Sequence, residues 1–234
     1  MGIVEEEDII DLDEYKVRIN EAQEKLKSTY DALAVKEAES YEYVTEPLTE
    51  VFTIKQGNAF YTKKRILSEG WVGDIPVYSS NTKESGLLIR IKESAIKEDD
   101  KYYQPCLTWT IDGDAGRIFV RNHDNLHNRK LKKYLFTVNN HCGILLPKKP
   151  NLDLRYCKVM LEPLFRIEAR SYDNTKVGTN QIEKIELKIP IGENGIYDIA
   201  AQKEIADKHE EIERVQKDIG EMLSSLSSAQ IDLI

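Results

Sequence analysis

The sequence predicts an α+β fold in which one mixed α/β domain is flanked by two long heptad-patterned helices that form a coiled coil. Apolar residues recur every seven positions near both ends, and short β-branched runs broken by Gly, Pro and Asn fill the centre. The 234 residues suffice for one domain with a sizeable core plus appendages. We therefore predict an N-terminal coiled-coil helix over 1–46, a central domain over 47–197 and a C-terminal coiled-coil helix over 198–234.

The N-terminal helix is predicted from a seven-residue repeat. Its first seam positions are Leu12, Ile19, Leu26 and Leu33. Tyr15, Ala22 and Thr29 follow three residues after the first three of these. Charged residues fill most other positions, which is the pattern of an a/d seam. The pattern fades near Glu39, and Pro47 makes helix beyond Glu46 unfavourable.

The C-terminal helix repeats this design. Its seam positions are Ile205, Ile212, Ile219 and Leu226. Such a stripe could pack on its own globular domain, or it could pair with the other end of the chain or with another subunit. The period of 3.5 over several heptads favours a coiled coil. We therefore predict that these four residues, together with Leu12, Ile19, Leu26 and Leu33 of the N-terminal helix, form a subunit interface in a homodimer.

The centre is predicted to combine strands with two helical stretches. Turn signals such as Asp112-Gly113 and Ser85-Gly86 separate the apolar runs. The helices are predicted over Lys92–Glu98 and Leu154–Ala169. The predicted strands are Val51–Ile54, Ile75–Tyr78, Leu87–Arg90, Leu107–Ile111, Arg117–Val120, Cys142–Leu146 and Ile185–Ile191.

Charge is segregated along the chain. Residues 1–46 carry 14 acidic and 5 basic side chains, and residues 198–234 carry 9 acidic and 4 basic ones. Residues 47–197 carry 18 acidic and 24 basic side chains. Residues 115–149 alone hold eight Lys or Arg and one acid, together with several Asn and His. A solvated basic face is the alternative, but the acidic ends and the Asn content favour a DNA surface.

Arg and Asn can read guanine and adenine edges, and Lys neutralises phosphates. Two further polar stretches follow the same logic. An ordinary hairpin turn explains the loop at 78–83 equally well, and the alternative for the stretch at 170–180 is a surface connection before the last predicted strand. The predicted DNA-binding residues are Lys63, Lys64, Arg65, Ser79, Ser80, Asn81, Lys83, Arg117, Arg121, Asn122, His123, Arg129, Lys130, Lys132, Lys133, Asn139, Asn140, Arg170, Asn174 and Lys176.

Patterns typical of enzymes are weak. Asp112-Gly113-Asp114 lacks the twelfth-position Glu of a calcium loop, and Cys106, Cys142 and Cys157 lack zinc-type spacing. Glu186 and Lys188 match the end of a nuclease metal motif, which leaves a metal-dependent nuclease as a competing hypothesis. We predict no catalytic residue, no metal site and no cofactor. An odd number of unpaired cysteines and no apolar run of ~20 residues indicate a cytoplasmic protein without a membrane partner.

Five segments, in this order, resemble the target-recognition domain of type I restriction–modification specificity subunits. They are GDIPVYSSN (Gly73–Asn81), LTWTIDGDAGRIFVR (Leu107–Arg121), NNHCGILLPK (Asn139–Lys148), VGTNQIEKIELKIPI (Val177–Ile191) and AAQKEIADKHEEI (Ala200–Ile212). The resemblance runs from about residue 51 to about residue 226.

The resemblance implies a non-catalytic reader of double-stranded DNA that works with adenine-methyltransferase subunits and with restriction subunits. A complete subunit of that family carries two recognition domains separated by two long helices, and each domain reads half of a bipartite site. This sequence carries one such domain, which implies a half-length subunit that pairs through its helices into a homodimer. The recognition module of a type IIB-like restriction system and a coiled-coil protein-binding scaffold without DNA remain alternatives.

Overall fold

The structure is a computed structural model that describes residues 12–39, 41–81, 83–122, 134–170 and 176–228. It divides into two compact units. Residues 42–203 form the central unit, and residues 1–41 with 204–234 form the helical unit. The elements, in chain order, are α1 (Leu12–Glu39), β1 (Glu42–Pro47), α2 (Leu48–Val51), β2 (Phe52–Gln56), α3 (Lys63–Ser68), β3 (Val72–Tyr78), β4 (Leu87–Ile91), β5 (Cys106–Thr110), β6 (Ile118–Arg121), β7 (Thr137–Val138), β8 (Cys142–Pro147), α4 (Leu154–Arg170), α5 (Thr179–Ile182), β9 (Glu186–Ile191) and α6 (Ile199–Ser228).

Three small sheets organise the central unit. The largest has the strand order β2-β8-β5-β6 and is antiparallel throughout. The second has the order β4-β3-β7, with β7 parallel to β3. The third pairs β1 with β9. No βαβ alternation builds these sheets, so the mixed α/β architecture that the sequence predicts is confirmed.

Trp109 anchors the core of the four-stranded sheet. Its ring is fully buried, meets Phe165 of α4 edge to face at 5.8 Å and donates from Nε1 to the carbonyl oxygen of Val177 at 3.0 Å. Gly143 on the neighbouring strand provides the space, since a Cβ there would lie 2.1 Å from the indole ring. Large aromatic side chains dominate core energetics, so this contact fixes α4 on the sheet.

Helix α4 begins where Asp153 caps it. The Asp153 carboxylate accepts from the backbone N–H groups of Arg155 at 2.8 Å and Tyr156 at 3.3 Å, which satisfies two otherwise unpaired donors of the first turn. Tyr156, Leu161 and Phe165 recur along its buried face. The predicted helix over Leu154–Ala169 is therefore confirmed.

All seven predicted strands are present within a few residues of their expected ends. The helix predicted over Lys92–Glu98 is wrong. Two short 3₁₀ turns occupy 93–95 and 98–100, and Ile96 and Lys97 between them are extended. Ile96 is buried in the cluster around Tyr61, so tertiary packing overrides the local helical preference.

The N-terminal helix ends earlier than the sequence predicts. Helix α1 stops at Glu39, and Glu42–Pro47 form β1, antiparallel to β9. The run Tyr43-Val44-Thr45 consists of strand-forming residues, and it finds a pairing partner almost 150 positions later in the chain.

Candidate nucleic-acid interface

Three loops far apart in the sequence meet at one edge of the central unit. The N–H of Asn139 donates to the carbonyl oxygen of Tyr78 at 3.0 Å, and the N–H of Asn58 donates to that of Val138 at 3.2 Å. Gln56 donates from Nε2 to the carbonyl oxygen of Asn140 at 2.8 Å. We call the six polar side chains that these loops present the polar edge. Its members are Gln56, Asn58, Ser80, Asn81, Asn140 and His141.

The close approach of these loops depends on Gly57. A Cβ at Gly57 would lie 2.1 Å from the carbonyl oxygen of Asn139, a distance that no side chain tolerates. The glycine therefore lets the end of β2 lie directly against the β7–β8 connection.

The polar edge is held by backbone hydrogen bonds between loops. Of its four amide side chains, Gln56 and Asn81 are exposed, and Asn58 and Asn140 are half-buried. The Asn58 amide is already bonded to Asp100 and to the N–H of Phe60.

The loop after β3 is the most constrained part of the polar edge. We call residues 79–81 and 83–86 the reading loop. The N–H of Ser79 donates to the carbonyl oxygen of Gly86 at 2.9 Å, which closes the loop. Glu84 and Ser85 have φ angles of 49° and 53°, in the left-handed region. Asn81 accepts from the N–H of Lys83 at 3.0 Å, so its amide is oriented within the loop.

His141 forms an exposed pair with Asp112. Its Nδ1 lies 2.6 Å from Asp112 Oδ2, and 46% of the His141 side chain is exposed. The N–H of His141 donates to Asn139 Oδ1 at 3.1 Å. The Asp112 contact orients the ring, so His141 adds an oriented polar group to the polar edge.

Three predicted DNA-binding residues are buried. Arg121 is 1% exposed, Asn139 is 4% exposed and Ser79 is 6% exposed. These three side chains are not accessible to a duplex in this structure, and direct contact with DNA stays a prediction for them. Asn139 and Ser79 instead hold the loops together through backbone groups, and Arg121 packs beneath the reading loop.

The basic residues Lys63, Lys64 and Arg65 lie on α3 and are exposed. Thr62 caps this helix by accepting from the N–H of Arg65 at 3.2 Å. The Arg65 guanidinium lies 3.8 Å from the centre of the Phe60 ring. Helix α3 comes before β3 in the chain, and the reading loop comes after it. The seven residues of β3 span about 20 Å, which separates α3 from the reading loop. Their cations form a second, separate exposed group.

Other predicted contacts are distributed over the surface. Arg117 Nη1 lies 3.5 Å from Oε1 of Glu162 on α4, so Arg117 forms an ion pair with that helix. Arg170 at the end of α4, Lys176 and Lys83 are exposed, and Asn122 after β6 is half-buried. The predicted residues that lie outside the described part of the chain are His123, Arg129, Lys130, Lys132, Lys133 and Asn174.

Gln56 and Asn58 were not predicted from the sequence. The dipeptide Gly57-Asn58, directly after a predicted strand, is a turn signal that could have identified them. Nothing in the sequence indicates that this turn lies beside Asn139, because the contact is tertiary.

The chemistry at the polar edge is that of recognition. Amides, a hydroxyl and an imidazole can donate to and accept from base edges and phosphates. In the described part of the chain, no group of three or more His, Cys, Asp or Glu side chains is placed to hold a metal ion. No helix in those ranges has the length and apolar character that a membrane span requires.

The helical unit displays the predicted heptad seam. Among residues 13–31 of α1, only Tyr15, Ile19, Ala22, Leu26 and Thr29 are not exposed, and their spacing alternates between four and three. On α6, Ile205, Ile212 and Val215 are buried, and Ile219 is half-buried. The side chains of Leu12, Leu33 and Leu226 lie outside the described residues.

Three polar contacts link the two helical segments within this unit. Lys25 Nζ lies 3.2 Å from Glu211 Oε1, Gln216 Nε2 donates to the Tyr30 hydroxyl at 3.2 Å, and the Tyr41 hydroxyl donates to Glu204 Oε2 at 2.8 Å. The helices are therefore in contact. Whether their seams interlock as a coiled coil stays a prediction.

Comparison with known proteins identifies relatives of one kind. Residues 41–234 match the family described as "Type I restriction modification DNA specificity domain". The type I restriction enzyme MpnII specificity subunit of Mycoplasma pneumoniae is 28% identical over 173 residues, which cover 72% of this chain and 43% of that protein.

Two solved structures share the fold. The type I restriction–modification S subunit of M. genitalium superimposes with a TM-score of 0.52 at 15% identity and covers 95% of this chain and 58% of that one. The HsdS subunit of Thermoanaerobacter tengcongensis gives a TM-score of 0.55 at 13% identity, with 91% and 49% covered. The chain spans about half the length of the curated relatives it matches.

Proposed function

Because the chain belongs to the type I restriction modification DNA specificity domain family, we propose that its central unit reads the base sequence of double-stranded DNA. The observation that carries the proposal is the polar edge, where three loops present amide and imidazole groups side by side. Asn and Gln side chains can pair bidentately with adenine, and such contacts discriminate between bases. The M. pneumoniae relative is itself named a specificity subunit.

The charge of the chain supports the same assignment. The central segment 47–197 has six more basic than acidic residues, whereas both flanking segments are acidic. Phosphate neutralisation supplies most of the sequence-independent affinity for DNA. In this proposal the cations at 129–133 and on α3 bind the phosphate backbone, and the polar edge then reads the bases.

The helices have a different role in the proposal. Two chains pair through their heptad seams, so that two central units read the two halves of a bipartite site. Apolar side chains that remain partly exposed, such as Ile19, Leu26, Ile219 and Met222, support this pairing because a second helix would cover them. The acidic outer faces of the same helices then dock adenine-methyltransferase subunits and restriction subunits.

Catalysis belongs to the partner subunits in this proposal. Glu186 and Lys188, the residues of the competing nuclease hypothesis, lie on β9 opposite β1. Lys188 Nζ lies 4.1 Å from the centre of the Tyr43 ring, a contact that stabilises the two-stranded sheet. No observation in the described residues favours the nuclease, and none favours a type IIB-like system or a protein-binding scaffold over DNA recognition.

Selection from a random duplex library tests the function. The full chain is incubated with a library of duplexes randomised over about 12 positions, and bound duplexes are sequenced after several rounds. We expect enrichment of one defined half-site motif. Retention of duplexes with no sequence preference, or no retention at low salt, would remove the proposed function.

A further inference from the structure

Arg121 lies buried beneath the reading loop. It ends β6, is 1% exposed and donates from Nε to Thr108 Oγ1 at 2.9 Å. Its guanidinium carbon lies 3.6 Å from the centre of the Tyr78 ring, and Tyr78 immediately precedes the reading loop. One cation therefore joins the four-stranded sheet, which contains β5 and β6, to the end of β3 in the three-stranded sheet.

No carboxylate within the described ranges compensates this charge. The titratable groups that face Arg121 are Tyr78, Tyr134, Cys106 and Cys142. Burial raises the pKa of Cys142 to about 12 and also raises the pKa values of Cys106 and Tyr134, so these groups stay neutral. Burial lowers the pKa of Arg121, but a guanidinium retains its proton in proteins. Within the described ranges, the guanidinium therefore faces only neutral titratable groups.

One donor of that guanidinium is unused. Nη2 is buried and has no hydrogen-bond partner. A buried donor without an acceptor is unfavourable and rare, so its retention needs an explanation.

The explanation lies in what Nη2 faces. A Cβ at Gly86 would stand 3.2 Å from Nη2, 3.1 Å from the carbonyl oxygen of Ser79 and 3.2 Å from that of Asn81. The glycine that closes the reading loop thus lies against the guanidinium, with two loop carbonyl oxygens close by. Gly86 has φ of +88°, where a side chain would be strained.

We propose that Arg121 is a positioning residue that fixes the geometry of the reading loop and thereby sets the sequence selectivity of DNA binding. This inference rests on the proposed function. Arg121 does not touch the duplex. Its charge and its flat guanidinium, stacked on Tyr78, hold Ser80, Asn81 and Lys83 in one arrangement, and exposed cations elsewhere supply the affinity for phosphates.

Two conservative variants test the proposal. Arg121→Lys keeps the positive charge but loses the planar stack and the Nη2 group that faces Gly86. Thr108→Val removes the acceptor of Nε, together with the Thr108 contact to the Cys142 thiol, and leaves Arg121 and the surface unchanged. Arg90→Lys is the matched control, because Arg90 is a half-buried arginine on β4 that donates from Nη1 to the carbonyl oxygen of Asp74 at 2.9 Å, away from the reading loop.

The duplex library selection gives the first measurement. For each variant, affinity is compared between the duplex that the parent chain enriches and a scrambled duplex. We expect Arg121→Lys to reduce this selectivity by about tenfold, which is the discrimination that one base-specific pairing supplies, and Thr108→Val to reduce it by less. Binding to the scrambled duplex stays within about twofold of the parent, because the phosphate contacts are unchanged. Arg90→Lys leaves both affinities unchanged.

Amide hydrogen exchange gives the second measurement and needs no DNA. In Arg121→Lys we expect faster exchange at Ser79 and Lys83, whose N–H groups are bonded within the reading loop, with little change elsewhere in β3. If Arg121 contributed only to general stability, the variant would instead show faster exchange evenly across both sheets. Its melting temperature would fall, and the loss of selectivity would follow that fall. That pattern would overturn the proposal.

The outcomes separate the inference from the function on which it rests. If the parent chain enriches a motif and both folded variants enrich it with unchanged selectivity, Arg121 is not a positioning residue. If Arg121→Lys does not fold, Thr108→Val decides alone, because it replaces one buried hydroxyl by a methyl group and leaves Arg121 in place. If the parent enriches no motif, the proposed function itself has failed.

Discussion

The amides of Asn81, which is exposed, and Asn140, which is half-buried, are the groups of the polar edge that we expect to discriminate between bases. Asn81 and Asn140 belong to loops that are joined through Asn139 and Tyr78, so they lie close together although 59 positions separate them. Replacing either one by Ala should reduce preference for the enriched duplex by about 1–3 kcal/mol and leave scrambled duplex binding nearly unchanged. Competition binding by fluorescence anisotropy measures both affinities. Asn180→Ala, an exposed amide on α5, is the control, and an equal loss there would contradict the assignment.

The cations at 129–133 are expected to contribute affinity without selectivity. Neutralising Arg129, Lys130, Lys132 and Lys133 together should weaken binding to every sequence. The log–log salt slope should become shallower by about 0.9 for each phosphate that the variant no longer neutralises. A control chain with the same change in charge carries neutral residues at Lys16, Lys27, Arg214 and Lys217. If the two variant chains gave the same salt slope, this segment would be excluded as a phosphate-binding surface.

Two glycines should respond in opposite ways to the same substitution. Gly143→Ala places a methyl group into the Trp109 ring and should lower the free energy of unfolding by roughly 3 kcal/mol, since overpacking a rigid core forces side chains to move. Gly220 on α6 has open space around it, so Gly220→Ala should stabilise the helix by about 1 kcal/mol. Denaturant unfolding measures both. A stable Gly143→Ala protein would show that the Trp109 contact is looser than the structure has it.

Residue chemistry alone did not indicate that Arg121 is buried. The sequence shows an arginine in a basic segment, which favours a DNA contact. The fold aligns it with Cys106 across the β5–β6 pair and covers it with Tyr78. No local pattern distinguishes a buried arginine from an exposed one here, because the covering residue lies 43 positions away.

At the scale of elements, strands were predicted well because short apolar runs between turn signals identify them without tertiary information. Strand β1 was missed because it directly follows a long helix, and its pairing partner β9 lies far along the chain. The seams of α1 and α6 were predicted from period alone, and the burial of both helices follows that period.

Charges placed in the seam should prevent helix association. The double variant Ile219→Asp with Met222→Asp should convert a dimer to a monomer, because each carboxylate would lose its hydration in an apolar interface between chains. Asn20→Asp with Gln23→Asp adds the same charge at exposed positions of α1 and should keep the dimer. Light scattering gives the mass of each. A parent chain that is monomeric at high concentration would argue against pairing through the helices.

At the scale of the whole molecule, segregated charge and heptad seams predicted the two kinds of structure in the chain. The polar edge could not be predicted as a site, because the loops at 56–58, 79–81 and 139–141 meet only through tertiary contacts. A basic centre and acidic helices occur in one chain. The centre is proposed to face DNA, and the helices are proposed to face protein partners.

The salt dependence of duplex binding tests the central claim most directly. The affinity of the full chain for a duplex is measured by anisotropy between about 50 and 200 mM salt. DNA recognition by the central unit predicts measurable binding at low salt that falls linearly on a log–log plot, with a slope that reflects several phosphate contacts. Absence of binding at the lowest salt, or an affinity that does not change with salt, would contradict the claim that this chain reads DNA.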